Sequence, residues 1–484
     1  MPMAMNTLPG EFEQYTRSLM GENLFARLVD GLQDDVPVSI RLNRAKCGTA
    51  ALPVNADGQV PWCPDGYYLS RRPTFTFDPL LHAGLYYVQE ASSMFVGRVM
   101  EQYFGQRTEP MLALDMCAAP GGKSTVVATA MPTGSVLVSN EPIRQRAQIL
   151  AENMHKWGHP DTIVTNNYPA DFSGLHLAAD LVVCDVPCSG EGMFRKDEGT
   201  IAEWSTQNVR KCADLQRDIV TKVWPLLRPG GIMIYSTCTF NAHEDEENVD
   251  WICREFGAEL LPVDIEQTWN ITGSLVPSVS GPVYRFIPGL TRGEGLFMAV
   301  LQKSADEELP VQKVKSKKKG KGHDRSSDGM QVKDGERLTA WLSDPSRYAV
   351  VQADERLVAM SAPLRQVYNE ISGRLSVLKA GVTLGTQKGR DVIPHQSLAC
   401  SIAMAPEAFV HVPLSYTEAI AYLRKEAFPL PGTVPCGFVV VEYEGFPLGF
   451  VKNIGHRANN LYPQEWRIKS THLPEEEPVI RITK

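Results

Sequence analysis

Two cysteines stand in short motifs suited to covalent chemistry. Cys188 lies in Asp185-Val186-Pro187-Cys188-Ser189-Gly190, and Cys238 in Tyr235-Ser236-Thr237-Cys238-Thr239. Each follows an apolar run, Leu181-Val182-Val183-Cys184 or Ile232-Met233-Ile234, of the kind that forms a buried parallel strand. Both thiols are therefore expected just past the carboxyl ends of strands, where open α/β sheets hold their ligands. A thiolate is a good nucleophile, so two thiols on one edge point to covalent catalysis. Free cysteine is also often a small buried apolar residue. That is the reading for Cys184, inside its strand.

A second motif, Cys117-Ala118-Ala119-Pro120-Gly121-Gly122-Lys123-Ser124-Thr125, follows the apolar run Leu112-Ala113-Leu114-Asp115. Small residues there let the backbone approach a ligand, and the next helix offers its N-terminus. A P-loop needs a glycine where Cys117 stands, so that motif fails by one residue. The dinucleotide fingerprint G-x-G-x-x-G is absent. A nucleoside cofactor without pyrophosphate remains. Glu141, after the next strand, is the carboxylate its ribose would want. That supports S-adenosylmethionine.

These motifs need elements to position them. Strands are expected at Leu112–Asp115, Ser135–Val138 and Thr162–Val164, followed by the two cysteine strands. A helix over Arg144–Trp157 ends at Gly158, and a long one runs from Glu203 to Leu227 before Pro229-Gly230-Gly231. Alternation of strand and helix predicts an α/β fold with a doubly wound parallel sheet. Val283–Lys303 reads as antiparallel edge strands. The predicted organisation is an N-terminal α+β module over 1–97 and a catalytic domain over 98–305. A lysine-rich linker (306–335), a partly helical middle domain (336–395) and a C-terminal domain (396–484) with a hairpin from Gly437 to Val451 complete it.

The chain has 484 residues, 43% hydrophobic and 21% charged, and a net charge of −8. This is ordinary globular composition for about two to four domains. No apolar run is long enough to span a bilayer, and the N-terminus lacks signal-peptide character. Ten cysteines without a C-x-x-C pair predict free thiols, a cytoplasmic protein and no metal. The acidic total does not exclude nucleic acid, because binding depends on local patches. One patch holds Lys313, Lys315, Lys317, Lys318, Lys319 and Lys321, read as a solvated linker that can attract phosphates. Another mixes Lys452, His456, Arg457, Asn459, Asn460, Tyr462, Trp466 and Arg467, a composition suited to RNA.

Three motifs in order, Leu114–Lys123, Asp185–Gly190 and Ser236–Thr239, resemble those of the Nop/Sun RNA cytosine-C5 methyltransferases. Gly84–Met94 looks like that family's motif before the catalytic domain, and Gly437–Trp466 looks like the PUA-like extension of its bacterial RsmB/RsmF branch. The resemblance implies a Rossmann-like S-adenosylmethionine-dependent domain and an N-terminal RNA-binding module. It also implies a PUA-like RNA-binding domain and a cytosine in small-subunit rRNA as target. It implies that Cys238 is the nucleophile and that Cys188 helps release product. Cys117, Ala118, Ala119, Pro120, Gly121, Gly122, Lys123, Glu141 and Asp185 would line the cofactor and target site. Where the family commonly has Asp near the adenine, this chain has Asn166-Asn167-Tyr168, so Asn167 or Tyr168 must serve. Asp185 and Lys123 would meet charge at cytosine N3 and N4, and Phe194 or Tyr168 are candidates to stack on the base. The expected partners are RNA and the small ribosomal subunit, with no membrane and a monomeric chain. A P-loop NTPase and a non-catalytic RNA-binding assembly factor are the alternatives.

Overall fold

The structure is a computed structural model that describes residues 8–306 and 335–483, apart from 50, 55, 176, 278, 280, 354, 390 and 471. The lysine run 313–321 lies outside the described residues.

A helix, Gly10–Gln33, precedes four strands: β1 (Val38–Leu42), β2 (Ala56–Gln59), β3 (Gly66–Leu69) and β4 (Tyr86–Val88). They pair in the order β2-β3-β1-β4. The catalytic domain follows. β5 (Leu112–Asp115), β6 (Val136–Asn140), β7 (Thr162–Thr165), β8 (Ala179–Asp185) and β9 (Leu227–Thr237) run parallel. Their apolar stretches are buried because helices cover both faces. Next come β10 (Glu259–Leu260), β11 (Val283–Phe286) and β12 (Leu296–Gln302), with β12 antiparallel to β9, as the sequence suggested. β5 lies between β6 and β8. The winding reverses there, which opens a crevice at the carboxyl ends of β5 and β8.

Helix Arg144–Trp157 ends on Gly158 with φ +85°, a left-handed cap that favours glycine. The helix expected over 203–227 runs only from Thr206 to Val223, and a separate short helix, Glu198–Glu203, comes before it. Ser205 caps the second through the Asn208 N–H. Pro225 removes a donor and bends the chain before β9, so Pro229-Gly230-Gly231 fall inside that strand rather than ending the helix.

The C-terminal half differs from expectation. Its middle part is mostly strand: β13 (Tyr348–Ala353), β14 (Arg356–Ser361), β15 (Val377–Ala380), β16 (Val382–Lys388) and β17 (Asp391–Pro394). β13, β14, β16 and β17 form their own sheet, but β15 leaves it and pairs antiparallel with β7. The catalytic sheet thereby gains its ninth strand. Leu364, Ile371 and Leu375 share one apolar core with Val138, Ile163 and Phe172. The middle region is thus fused to the catalytic core across a strand edge, not held apart from it. Short strands and two helices, Gly335–Thr339 and Ala362–Ile371, give weak periodicity, which is why they read as partly helical.

β18 (Val410–Pro413), β19 (Gly437–Tyr443), β20 (Phe446–Asn453) and β21 (Ala458–Asn460) make the last sheet. The β19–β20 hairpin turns on Glu444 and Gly445, both with positive φ. This sheet packs on the N-terminal module: Ile40, Leu80, Val412, Ile420 and Tyr462 belong to one core. Tyr462, expected at an RNA surface, is instead fully buried with its hydroxyl 3.2 Å from His82 Nδ1. Trp466 packs beside His155. His456, Arg457, Asn459 and Arg467 stay exposed. In this patch the aromatics are packing residues and the polar ones are the available surface.

Candidate active site

The chain places the two cysteines together. Cys188 Sγ and Cys238 Sγ are 3.2 Å apart, a hydrogen-bonding distance between free thiols. This contact and burial hold the Cys188 thiol well above its ordinary pKa, so it keeps its proton. Burial does the same to Cys117, with nearby carboxylates adding to it. Cys184 is buried in β8, as its strand position requires.

A pocket of about 300 Å³ opens beside Cys238. Its floor is the loop after β5: Cys117, Ala118, Ala119, Pro120, Gly122 and Lys123. Gly121, with φ +117°, turns the loop into helix Gly122–Ala130, and a Cβ there would meet Leu150 at 3.2 Å. Lys123 Nζ sits 2.8 Å from Asp185 Oδ2, and Ser236 Oγ donates to Asp185 Oδ1 at 2.7 Å. Lys123, which a P-loop directs at phosphates, is thus paired with a carboxylate. The far wall comes from the N-terminal module: Tyr87, Gln89, Glu90 and Ser93. Arg41 ties that wall to the catalytic domain by donating to Gln89 Oε1 (2.8 Å) and Thr125 Oγ1 (2.6 Å).

Asp115 lies at the bottom of this pocket. Ser124 Oγ donates to its Oδ2 at 2.6 Å, while its buried Oδ1 has no partner. Burial raises this carboxyl to about 7.

Other expected contacts are placed less directly. Glu141 is buried at the end of β6. Its Oε1 accepts from the Ile143 N–H, and its Oε2 is 3.7 Å from Arg146. Asn167 Oδ1 accepts from the Ser376 N–H, so the middle region buttresses this position. Tyr168 is 68% exposed, and none of Glu141, Asn167 and Tyr168 lines the pocket. Phe194 is core, edge-on to Phe12 at 5.2 Å, so it does not stack on a base.

Sequence reasoning missed the residues that hold the two cysteine loops. Glu244 Oε2 accepts from the Ser189 N–H (2.9 Å) and from Gln216 Nε2 (2.7 Å), and Gln216 Nε2 also donates to the Pro187 carbonyl (2.9 Å). Glu191 accepts from the Phe240 N–H (2.6 Å) and from Asn241 Nδ2 (3.0 Å). The Gly192 N–H donates to the Cys238 carbonyl at 2.8 Å. Below them Arg285 is buried against Asp245 and Glu246. The run Glu244-Asp245-Glu246-Glu247 carries four carboxylates in a row. Only its first three side chains turn inward, and no local pattern marks that.

Three family models match in order. The N-terminal domain of 16S rRNA methyltransferase RsmF matches residues 8–91, 16S rRNA methyltransferase RsmB/F matches 105–302, and the RsmF PUA domain matches 409–468. Over these three stretches the chain is similar to the RsmB/F methyltransferases. Among relatives, it is 29% identical to the ribosomal RNA small subunit methyltransferase F of Enterobacter sp. (strain 638), covering 96% of this chain and 97% of that one. The protein of that name from Photobacterium profundum is 28% identical, over 96% and 98%. A methyltransferase homologue from Pyrococcus horikoshii shares the fold at TM-score 0.52 and 24% identity, over 62% of this chain and 96% of that one.

RsmB/F enzymes depend on S-adenosylmethionine, and the pocket suits it. The loop after β5 is small enough for close backbone approach, and the orphaned Asp115 Oδ1 offers an acceptor to a cationic group. Among the described residues, no cluster of His, Cys, Asp and Glu could hold a metal, and no helix is long and apolar enough to cross a membrane.

Proposed function

We propose that this protein methylates C5 of a cytosine in small-subunit ribosomal RNA through a covalent adduct on Cys238. The observation that carries the reading is the thiol pair, 3.2 Å apart, at the edge of a cofactor-sized pocket. Cytosine C5 is a weak nucleophile. Addition of the Cys238 thiolate to C6 makes the ring an enamine whose C5 can attack an electrophilic methyl. S-adenosylmethionine supplies that methyl group. In this reading the Asp185–Lys123 pair, 2.8 Å apart, meets the charge that develops at N3 and N4. Loss of the C5 proton to water and departure of the Cys238 sulfur as a thiolate restore the ring. The Cys188 S–H can hydrogen-bond the leaving Cys238 thiolate, which favours elimination. The target base must leave its stack to reach this pocket. The names of the full-length relatives support the rRNA target. Bisulfite sequencing of small-subunit rRNA from cells with and without the gene tests it. One cytosine should lose protection when the gene is absent, and an unchanged pattern would refute the target.

Two binding predictions concern Glu141, after β6, and Asp115, in the pocket. Glu141 commits Oε1 to the backbone, which leaves Oε2, loosely paired with Arg146, for ribose hydroxyls. Such charge-assisted bonds contribute about 1.5–3 kcal/mol. Glu141→Ala should weaken S-adenosylmethionine by roughly ten- to a hundredfold in calorimetry, and unchanged affinity would move the ribose contact elsewhere. Asp115 must ionise to accept the cofactor's ammonium group. Because its carboxyl titrates at about 7 in the free protein, affinity should rise with pH up to that point and then level. The slope should approach tenfold per pH unit at most. Asp115→Asn should bind more weakly with no such slope. An identical slope in Asp115→Asn would assign the titration to another group.

A further inference from the structure

A groove of about 920 Å³ runs along the seam between the N-terminal module and the catalytic domain. Arg71, Arg72, Arg195, Lys196 and Arg292 line it, against Asp34 and Asp35. Two chain segments wall both this groove and the reaction pocket. Residues 192–196 give Gly192 and Met193 to the pocket and Arg195 and Lys196 to the groove. Residues 292–296 give Arg292 and Gly293 to the groove and the next three residues to the pocket. A strand with one base beside Cys238 would therefore have its neighbouring phosphates at the groove mouth.

The cations are held in place. Arg195 is buried, donates to the carbonyls of Gly31 (2.9 Å) and Gly293, and keeps an unpartnered Nε. Arg292 lies over the Tyr68 ring at 4.2 Å, and Tyr68 Oη donates to the Arg292 carbonyl at 2.7 Å. Arg72 lies over Phe75 at 5.5 Å. Lys196 is taken by the largely buried Glu294 at 2.5 Å, but the carboxylate partners of two arginines are replaceable from solvent: Arg71 meets Glu476 at 3.5 Å and Arg292 meets Asp57 at 2.6 Å, all exposed. Exposed pairs of this kind contribute little, so an incoming phosphate can displace them.

We infer that this groove takes the single-stranded RNA that flanks the target nucleotide. Its arginines would meet phosphates, and the guanidinium stacked on Tyr68 would meet an unpaired base. The inference rests on the proposed RNA methylation. A flipped target favours unpaired neighbours, and guanidinium groups suit both phosphate and base.

The test compares steady-state methylation of an RNA fragment by wild type, by Arg71→Gln/Arg72→Gln/Arg292→Gln and by Asp34→Asn/Asp35→Asn. The arginine variant should raise KM for RNA tenfold or more. It should leave kcat at saturating RNA, cofactor affinity and melting temperature unchanged. The slope of log affinity against log salt should shrink by about 0.7 for each phosphate that the variant no longer neutralises. The aspartate variant should lower KM. If wild type is active but neither variant changes KM or salt slope, the groove assignment is overturned while the function stands. If wild type methylates no RNA, the RNA reading fails and the groove assignment falls with it.

Discussion

A Cys188→Ala variant incubated with RNA and S-adenosylmethionine is expected to carry an RNA adduct through denaturing electrophoresis. The Cys188 thiol keeps its proton and sits 3.2 Å from the sulfur that must leave the base. Without that donor the thiolate departs slowly, and the methylated base stays attached to Cys238. Adding Cys238→Ala should abolish the adduct. Cys238→Ala alone should bind cofactor normally, because the cofactor loop is built after β5. Its methyl transfer should fall to background, a loss on the scale of other missing nucleophiles, on the order of 10⁶-fold. An adduct that requires Cys188 and survives without Cys238 would reverse the two roles.

A fragment ending at residue 306 is expected to be far less stable than the whole chain. The lysine-rich stretch suggests two independent cores, yet β15 closes the catalytic sheet at β7. Without it the β7 edge loses its pairing through Val377↔Thr165 and Ala380↔Ile163. Leu364, Ile371 and Leu375 would no longer cover the catalytic core, and each such side chain contributes about 1.5–3 kcal/mol. Asp161 would also lose its bonds from Ser361 and Arg347 and remain behind with weaker satisfaction. Set against a total of about 5–15 kcal/mol, this loss should produce a sharply lower melting temperature or an insoluble fragment. Cofactor binding should weaken too, since Thr165, which pairs with Val377, accepts from the Glu141 N–H and so holds the end of β6. A soluble fragment with the full-length melting temperature and cofactor affinity would show that the halves are independent after all.

What was legible in the sequence was local. The strands ending in Asp115, Asp185 and Thr237 are apolar runs followed by small or turn-forming residues, so their ends and the residues there could be read directly. The cysteine pair followed from that, because adjacent parallel strands put their carboxyl ends side by side. What was not legible depends on distant pairing. Nothing in Val377–Ala380 says that it joins β7 and not its neighbour β16. The inward turn of Glu244 is set by Gln216 and Ser189, both remote in sequence. Tyr462 sits in a basic, polar stretch, and its burial is fixed by the N-terminal module. The groove is likewise invisible in one dimension, since its arginines come from three separated segments.

The central claim is attack by C5 after addition of Cys238 to C6. RNA transcribed with cytidine tritiated at C5 measures it directly, because C5 methylation must expel that hydrogen. Tritium should be released to water at one per methyl transferred, and release should vanish in Cys238→Ala. Methyl transfer without tritium release would place the methyl on another atom and contradict the mechanism.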